Sequence, residues 1–328
     1  MLGANLPWVH YGGDFGKSAW QPAGGLSANP EAARKLDHTF AKFAQDGIGH
    51  VRWWLFGDGR GGIRWASDGT PLGLDDKVFA DMDAALAAAR KHGIKITFSL
   101  IDFLFLRGDR RPAGKVQTGG HADVIKDPRK REAFIRDVVT PILERYGRDP
   151  AIEAWDLINE PEWETVGERG WNFLKSPWRG DMRAYLKAAT DAVHAHTDQW
   201  ATVGLASTRG LGLVKGLGLD LYHAHWYDGH DWLLSGLTKP VSDFKLDKPL
   251  ILGEFPTRKS RRTPAEILTA AQKAGYGGTM LWSALSEDPF AGYDAVRASM
   301  KQWAREHADD LSPGSASRTI PRQTFFGG

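Results

Sequence analysis

The chain has 328 residues, 42% hydrophobic and 25% charged, with a formal net charge of +2 and no cysteine. Both charge signs are mixed and no basic block stands out, so there is no footprint for nucleic acid or an anionic membrane. The lack of cysteine excludes disulfides and thiolate metal sites, and no apolar run approaches the roughly 20 residues that span a bilayer.

The chain opens "MLGANLPWVHYGG", which lacks the basic start and apolar centre of a signal peptide. It reads as a first strand. A cytoplasmic protein would begin this way, as would a secreted or periplasmic one whose leader had been replaced by a methionine, and the second reading is preferred. The 14 tryptophans are several times the usual share. They fit either a large aromatic core or stacking platforms for flat apolar ligand faces such as sugar rings.

In chain order, β-rich runs fall at 3–9, 50–56, 94–102, 152–159, 201–207, 219–227, 249–255 and 278–285. They are rich in Val, Ile, Trp, Phe and Tyr, and most are bounded by Gly, Pro or Asp. Helical patterns lie between them. Residues 29–47 place Leu36, Phe40 and Phe43 at helical spacing before Gly47. Residues 75–93 start acidic and end basic, as the helix dipole favours. A third pattern covers 127–150, with a bend expected at Pro141, and others cover 182–197, 263–275 and 295–307. Residues 209–218 read as a short helix or a turn.

Eight strand–helix alternations of thirty to fifty residues predict parallel pairing and an α/β fold, a single closed (β/α)8 TIM barrel. An open doubly wound sheet is the runner-up, but no Gly-rich phosphate loop follows the first strand. The barrel is expected over 1–310. Residues 311–328, rich in Ser, Pro and Gly, are expected to form an irregular tail in which Phe325 and Phe326 could dock back.

Active-site residues of such barrels lie at the carboxyl ends of strands. The fourth run, "AWDLINEPEW", ends in Asn159-Glu160, and the seventh ends in Glu254. The third closes on Asp102, the sixth reads "HAHWY", the second carries Arg52 and the eighth carries Trp282. Two carboxylates facing each other across a barrel mouth suit glycoside cleavage: one gives a proton to the leaving oxygen, the other attacks or activates water. The acid then needs a raised pKa and the nucleophile a lowered one, which Arg52 could supply.

The set "LINEP" at 157–161, "HWY" at 225–227, "LGEF" at 252–255 and "LWSA" at 281–284 resembles the clan A glycoside hydrolases. It is most similar to glycoside hydrolase family 5, the cellulase and mannanase family, and the likeness runs from the first strand to the last. The resemblance implies Glu160 as acid/base and Glu254 as nucleophile. It implies Asn159 on the sugar 2-hydroxyl, Tyr227 bonded to the nucleophile with His225 in the same motif, Arg52 beneath it, and Trp282 as the floor under the reacting sugar, its bond to Ser283 often cis. Where family members often carry a histidine near the end of the third strand, this chain has Asp102. The opening "NLPWVHYGGDFG" also matches no familiar subfamily.

Other readings stand beside these. Glu160 and Glu162 could be helix N-terminal acids, and Glu162 is assigned to that role or to a loop. Glu254 and Arg52 could form a structural ion pair. His223 and His225 share a strand face and could ligate a metal, but the fifth strand offers no further ligand, so no metal is expected. Trp8, Trp54, Trp163, Trp171 and Trp226 lie near strand ends and are the candidates for sugar stacking. At most one of Trp53 and Trp54 lines the lumen, because neighbouring residues face opposite ways. Trp20, Trp65, Trp200 and Trp303 read as packing, and His10 and His121 as loop or surface residues.

The reading is a retaining β-glycoside hydrolase acting by double displacement on β-linked glucan, mannan or a related oligosaccharide, with no cofactor and a carbohydrate as its partner. The expected state is a monomer with no nucleic-acid or membrane partner. A transglycosylase using the same residues and an inactive carbohydrate-binding barrel are the alternatives. The segments 103–126 and 161–181 are expected to shape the cleft.

Overall fold

The computed structural model describes residues 1–111, 116–229, 236–285 and 288–308. The tail with Phe325 and Phe326 lies outside the described residues. Eight strands, Leu2–Leu6, His50–Trp54, Lys95–Ser99, Ile152–Asn159, Trp200–Leu205, Tyr222–His225, Leu250–Pro256 and Thr279–Trp282, pair in parallel with their neighbours. The eighth closes on the first. Closure leaves no edge strand, which rules out the open sheet. Most predicted strands ran two or three residues too far, because the chain stays apolar where it leaves the ladder to line the mouth.

Alternation along the second strand shows how the barrel sorts its side chains. Trp53, Phe98 and Trp155 share one register level on adjacent strands. They face outward and stack at 6.4 and 5.8 Å between ring centroids. Each such ring buries about 150–250 Å², roughly 4–6 kcal/mol of apolar transfer. Arg52 and Trp54, one residue to either side of Trp53, face the lumen.

The helices follow their predicted ends where caps are explicit. Helix Pro30–Asp46 starts on Asn29, whose side chain accepts the Glu31 and Ala32 N–H groups, and stops at Gly47 with a left-handed φ of 80°. Thr263 and Glu266 form a capping box for Pro264–Ala274. Helix Arg179–His196 begins earlier than predicted, because Asp181 accepts the Trp178 N–H.

Pro141 bends no simple helix. A π-helical turn, Ile135–Val139, sits between Pro128–Phe134 and Thr140–Tyr146, taking up the bond that proline cannot donate. Residues 208–214 make a short 3₁₀ turn and one helical turn. A small antiparallel ribbon, Ile63–Trp65 with Pro71–Leu74, was not anticipated, although "SDGT" between its strands is a turn signal. No helix among the described residues is long and apolar enough to cross a membrane.

Candidate active site

The carboxyl ends of the strands open on a cavity of about 670 Å³. Its walls include Trp8, Asp102, Asn159, Glu160, Trp163, Tyr227, Glu254 and Trp282, all singled out from sequence, and Trp54, the lumen-facing member of its pair. The Trp282–Ser283 peptide is cis, and the Trp282 indole donates to Asp288 at 2.6 Å.

Beneath this surface lies a buried polar network. Arg52, fully buried, donates to Asp156 through Nε at 2.9 Å and Nη2 at 2.6 Å. It also donates to the Asn159 side-chain carbonyl at 2.6 Å, to Asn5 at 3.1 Å and to Glu254 at 2.9 Å. Asn5 in turn donates to the Gly253 and Leu281 carbonyls, tying the first strand to the seventh and eighth. Gly204 makes room for this: a methyl group there would run into Arg52 Nη2. A fully buried cation needs such a set, because unpaired burial costs several kcal/mol.

Glu160 sits where the fourth strand ends, in a left-handed conformation (φ 48°, ψ 48°) unusual for a residue other than glycine. Its N–H donates to the Gly204 carbonyl at 2.6 Å, and Pro161 opens a 3₁₀ turn behind it. This backbone aims the carboxylate into the cavity. One of its oxygens lies 2.8 Å from His225 Nδ1 and the other accepts the Trp163 indole N–H at 2.9 Å. Glu254 accepts from Arg52 and, at 2.9 Å, from the Tyr227 hydroxyl. Carboxylate oxygens of Glu160 and Glu254 and a ring nitrogen of His225 all lie within 4.8 Å of one another.

Burial and the neighbouring Glu160 charge push the Glu254 carboxyl well above its ordinary range, against the pull of Arg52 and Tyr227. The expectation of a lowered nucleophile is corrected: Arg52 acts in the predicted direction, but burial and the second carboxylate outweigh it. Like charges held this close disfavour ionising both carboxyls at once. Burial followed by the two carboxylates drives the Tyr227 phenol up, so it stays protonated as a donor. Asp102, bonded to the Leu104 N–H, Asn159 Nδ2 at 2.7 Å and the Trp54 indole, is pushed by burial to about 6.

Arg52 and His225 are buried beneath the cavity surface and bond the carboxylates, Arg52 lying under Glu254 as the resemblance implies. One stacking candidate is corrected. Trp226, 3% exposed, belongs to the hydrophobic core. It alternates with the inward-facing His225 and Tyr227, so strand periodicity sends it to the other face. Trp171 does not line the cavity either. Trp20, read as packing, lies exposed beside Arg60, whose guanidinium is 5.1 Å from its ring. His121 lies in a loop, as expected, but is held there: it stacks on Trp65 at 4.0 Å, and burial pulls its pKa down to about 4.

Glu162 stands in the first turn of the 3₁₀ helix, the N-terminal acid position expected of it, but it is no solvent-facing charge. It is buried, accepts the Ala206 N–H at 3.1 Å, and burial raises it to about 8. Asp156 was missed altogether. Its signal was present in a charged residue inside the apolar run "AWDLIN", which a buried strand tolerates only with a partner.

Glu160, His225 and Glu254 are also the group among the described residues whose donor atoms converge as a metal's would. Arg52 and Tyr227 already hold Glu254 there, and a cation would have to displace or tolerate the guanidinium. His223 does not join the cluster; burial drives its pKa well below the ordinary value, followed by the Arg52 charge.

A closed (β/α)8 barrel with paired glutamates at the ends of its fourth and seventh strands places the molecule among the glycoside hydrolases, enzymes that cleave O-glycosyl bonds. No family model matches the sequence. Mannan endo-1,4-β-mannosidase 8 of Oryza sativa subsp. japonica is 30% identical in an alignment that covers 80% of this chain and 84% of that protein. The mannan endo-1,4-β-mannosidase of Mytilus edulis is 26% identical over 86% of this chain and 83% of its own. The crystal structure of an endo-1,4-β-mannanase from Eisenia fetida superposes with a TM-score of 0.77 at 21% identity, covering 93% of this chain and 90% of that one. The chain belongs to the mannan endo-1,4-β-mannosidases, within family 5 of the clan A glycoside hydrolases.

Proposed function

We propose that the protein is a retaining endo-β-mannanase, cleaving β-1,4-linked mannan within the chain. The observation that carries the mechanism is the separation of the two carboxylates. Retaining enzymes hold their carboxyl groups about 5–5.5 Å apart, whereas inverting enzymes need about 6.5–9.5 Å to seat a water between acid and base. Oxygens within 4.8 Å leave no such room.

In the first step Glu254 attacks the anomeric carbon as the glycosidic C–O bond breaks, and Glu160 gives its proton to the departing oxygen. In the second, Glu160 takes a proton from water, the water oxygen bonds to the anomeric carbon, and Glu254 leaves. Arg52 and Tyr227 hold Glu254 for attack and steady the carboxylate that reappears. Glu254 accepts from two donors, which suits the anion that attacks. Asn159 has its carbonyl fixed by Arg52 and one amide hydrogen by Asp102. Its other amide hydrogen is left for the sugar 2-hydroxyl. Trp282 forms the floor and Trp8, Trp54 and Trp163 the stacking walls. Mannan is favoured over glucan by the names of the relatives.

Sugar release from mannans, β-glucans, xylans and aryl β-glycosides tests this reading. Wild type should act on mannan. Glu160→Gln should lose about 10²–10⁴-fold, and Glu254→Gln more than about 10³-fold. Turnover surviving in Glu254→Gln overturns the mechanism; activity confined to another glycan overturns the substrate.

A further inference from the structure

The loop after the fourth strand contributes Trp163 to the cavity and then leaves it. Beyond that point it exposes large apolar side chains: Trp171 is 89% exposed, Leu174 88%, Phe173 65% and Trp178 54%. Exposed apolar side chains gathered on one loop mark a binding site more often than chance.

The loop is not a loose flap. Its base is fixed by Arg169 N–H to the Glu162 carbonyl at 3.0 Å, Gly170 N–H to Thr165 at 2.9 Å, Val166 N–H to Pro177 at 2.9 Å and Arg179 N–H to Val166 at 3.1 Å. An Asn172 turn accepts the Lys175 and Ser176 N–H groups, and Phe173 packs against Trp178 with centroids 6.2 Å apart. The backbone is satisfied while the apolar side chains stand in water, an arrangement that costs stability unless something covers them.

Position indicates the occupant. The Arg169 guanidinium lies 4.8 Å from the centroid of Trp163, and Trp171 is two residues on, within about 7–8 Å of Arg169 along the backbone. The exposed side chains therefore begin two residues from a side chain that packs on the cavity wall. A polymer seated at Glu160 and Glu254 must run out past its ends. Pyranose rings present flat C–H faces to aromatic rings and carry no charge to be matched.

We propose that Trp171, Phe173, Leu174 and Trp178 form a platform on which a β-mannan chain rests outside the catalytic cavity. The platform holds polymeric mannan, above all insoluble mannan, by contacts a short oligosaccharide does not reach. The proposal rests on mannan being the substrate.

The test uses the full chain and a Trp171→Ser, Phe173→Ser, Leu174→Ser variant. Binding to insoluble β-1,4-mannan is measured by depletion in the Glu254→Gln background, where no turnover occurs. Turnover of soluble mannopentaose is measured in the active background. Binding should weaken about ten-fold or more, while kcat/KM on mannopentaose stays within about two-fold. Trp171→Phe alone, which keeps a ring, should retain most of the binding. Equal binding by both proteins overturns the proposal, as does an equal loss on mannopentaose, which would make the loop part of the cavity. Sedimentation showing a wild-type dimer that the variant cannot form also overturns it in favour of a second copy. Failure of the substrate reading is separate: wild type would then leave mannopentaose uncut.

Discussion

On the floor of the cavity, Arg52, Asp156, Asn159 and Glu254 come from barrel strands, lie buried, and are joined by bonds of 2.6–2.9 Å. On the rim, Trp163, Trp178 and Trp171 come from one loop and are 36%, 54% and 89% exposed. The floor is charged and closed by its own partners; the rim is apolar and left open. A strand holds its residues in register with both neighbours, so charges placed on it meet at fixed distances. A loop is free to vary in length and content, and so suits the recognition of an extended ligand. On the proposed reading, chemistry is built into the floor and selection into the rim.

Substitutions at three positions test that division. Arg52→Met removes the cation that compensates Asp156 and Glu254. Breaking one side of a buried ion network costs about 3–5 kcal/mol, so urea unfolding should show a loss of that size together with lost turnover. A stable variant lacking only activity would mean the floor is not a structural unit.

Asp102 gives a pH test at the edge of the floor. Its pKa is about 6 in the fold against 3.8 when free. Between those values the folded protein keeps a proton that the unfolded chain has released. Stability therefore falls as pH rises from about 4 to about 6 and levels above, by roughly 3 kcal/mol for this group. Asp14, pushed by burial to about 6 in the same way, contributes a similar slope. Asp102→Asn should remove roughly 3 kcal/mol from the fall in unfolding free energy across that window, to which Asp14, Glu162 and Glu254 also contribute. An unchanged slope would show that Asp102 does not carry the shift.

The rim should respond most mildly and through substrate. Trp163→Phe keeps the ring and loses the N–H bonded to Glu160, so KM should hold while kcat falls about five-fold, near 1 kcal/mol. Trp163→Ala should raise KM as well. Neither should change the unfolding midpoint appreciably, which a melt checks directly.

How much of this was legible in the sequence follows the same boundary. The eight strands and the positions of Glu160 and Glu254 could be read because strand periodicity and barrel topology leave few choices. The alternation that separates Trp53 from Trp54 would also have sent Trp226 to the core, had it been applied beside His225 and Tyr227. Asp156 escaped because the ladder shifts register between Asp156 and Asn159, so parity counted from Asn159 misplaces it. The burial of Glu162 was not legible, since it depends on the fifth strand delivering the Ala206 N–H. The raised Glu254 carboxyl depends on the distance between two strands far apart in sequence. The exposure of Trp171 depends on a loop fold that no local pattern encodes.

The central claim is that Glu160 and Glu254 stand close enough for double displacement. The most direct measurement is proton NMR of the first sugar released from β-1,4-mannan, recorded before mutarotation. The account predicts the β-anomer first, with the α-anomer growing in afterwards. The α-anomer appearing first would mean single displacement by water, and would contradict the roles given to both glutamates.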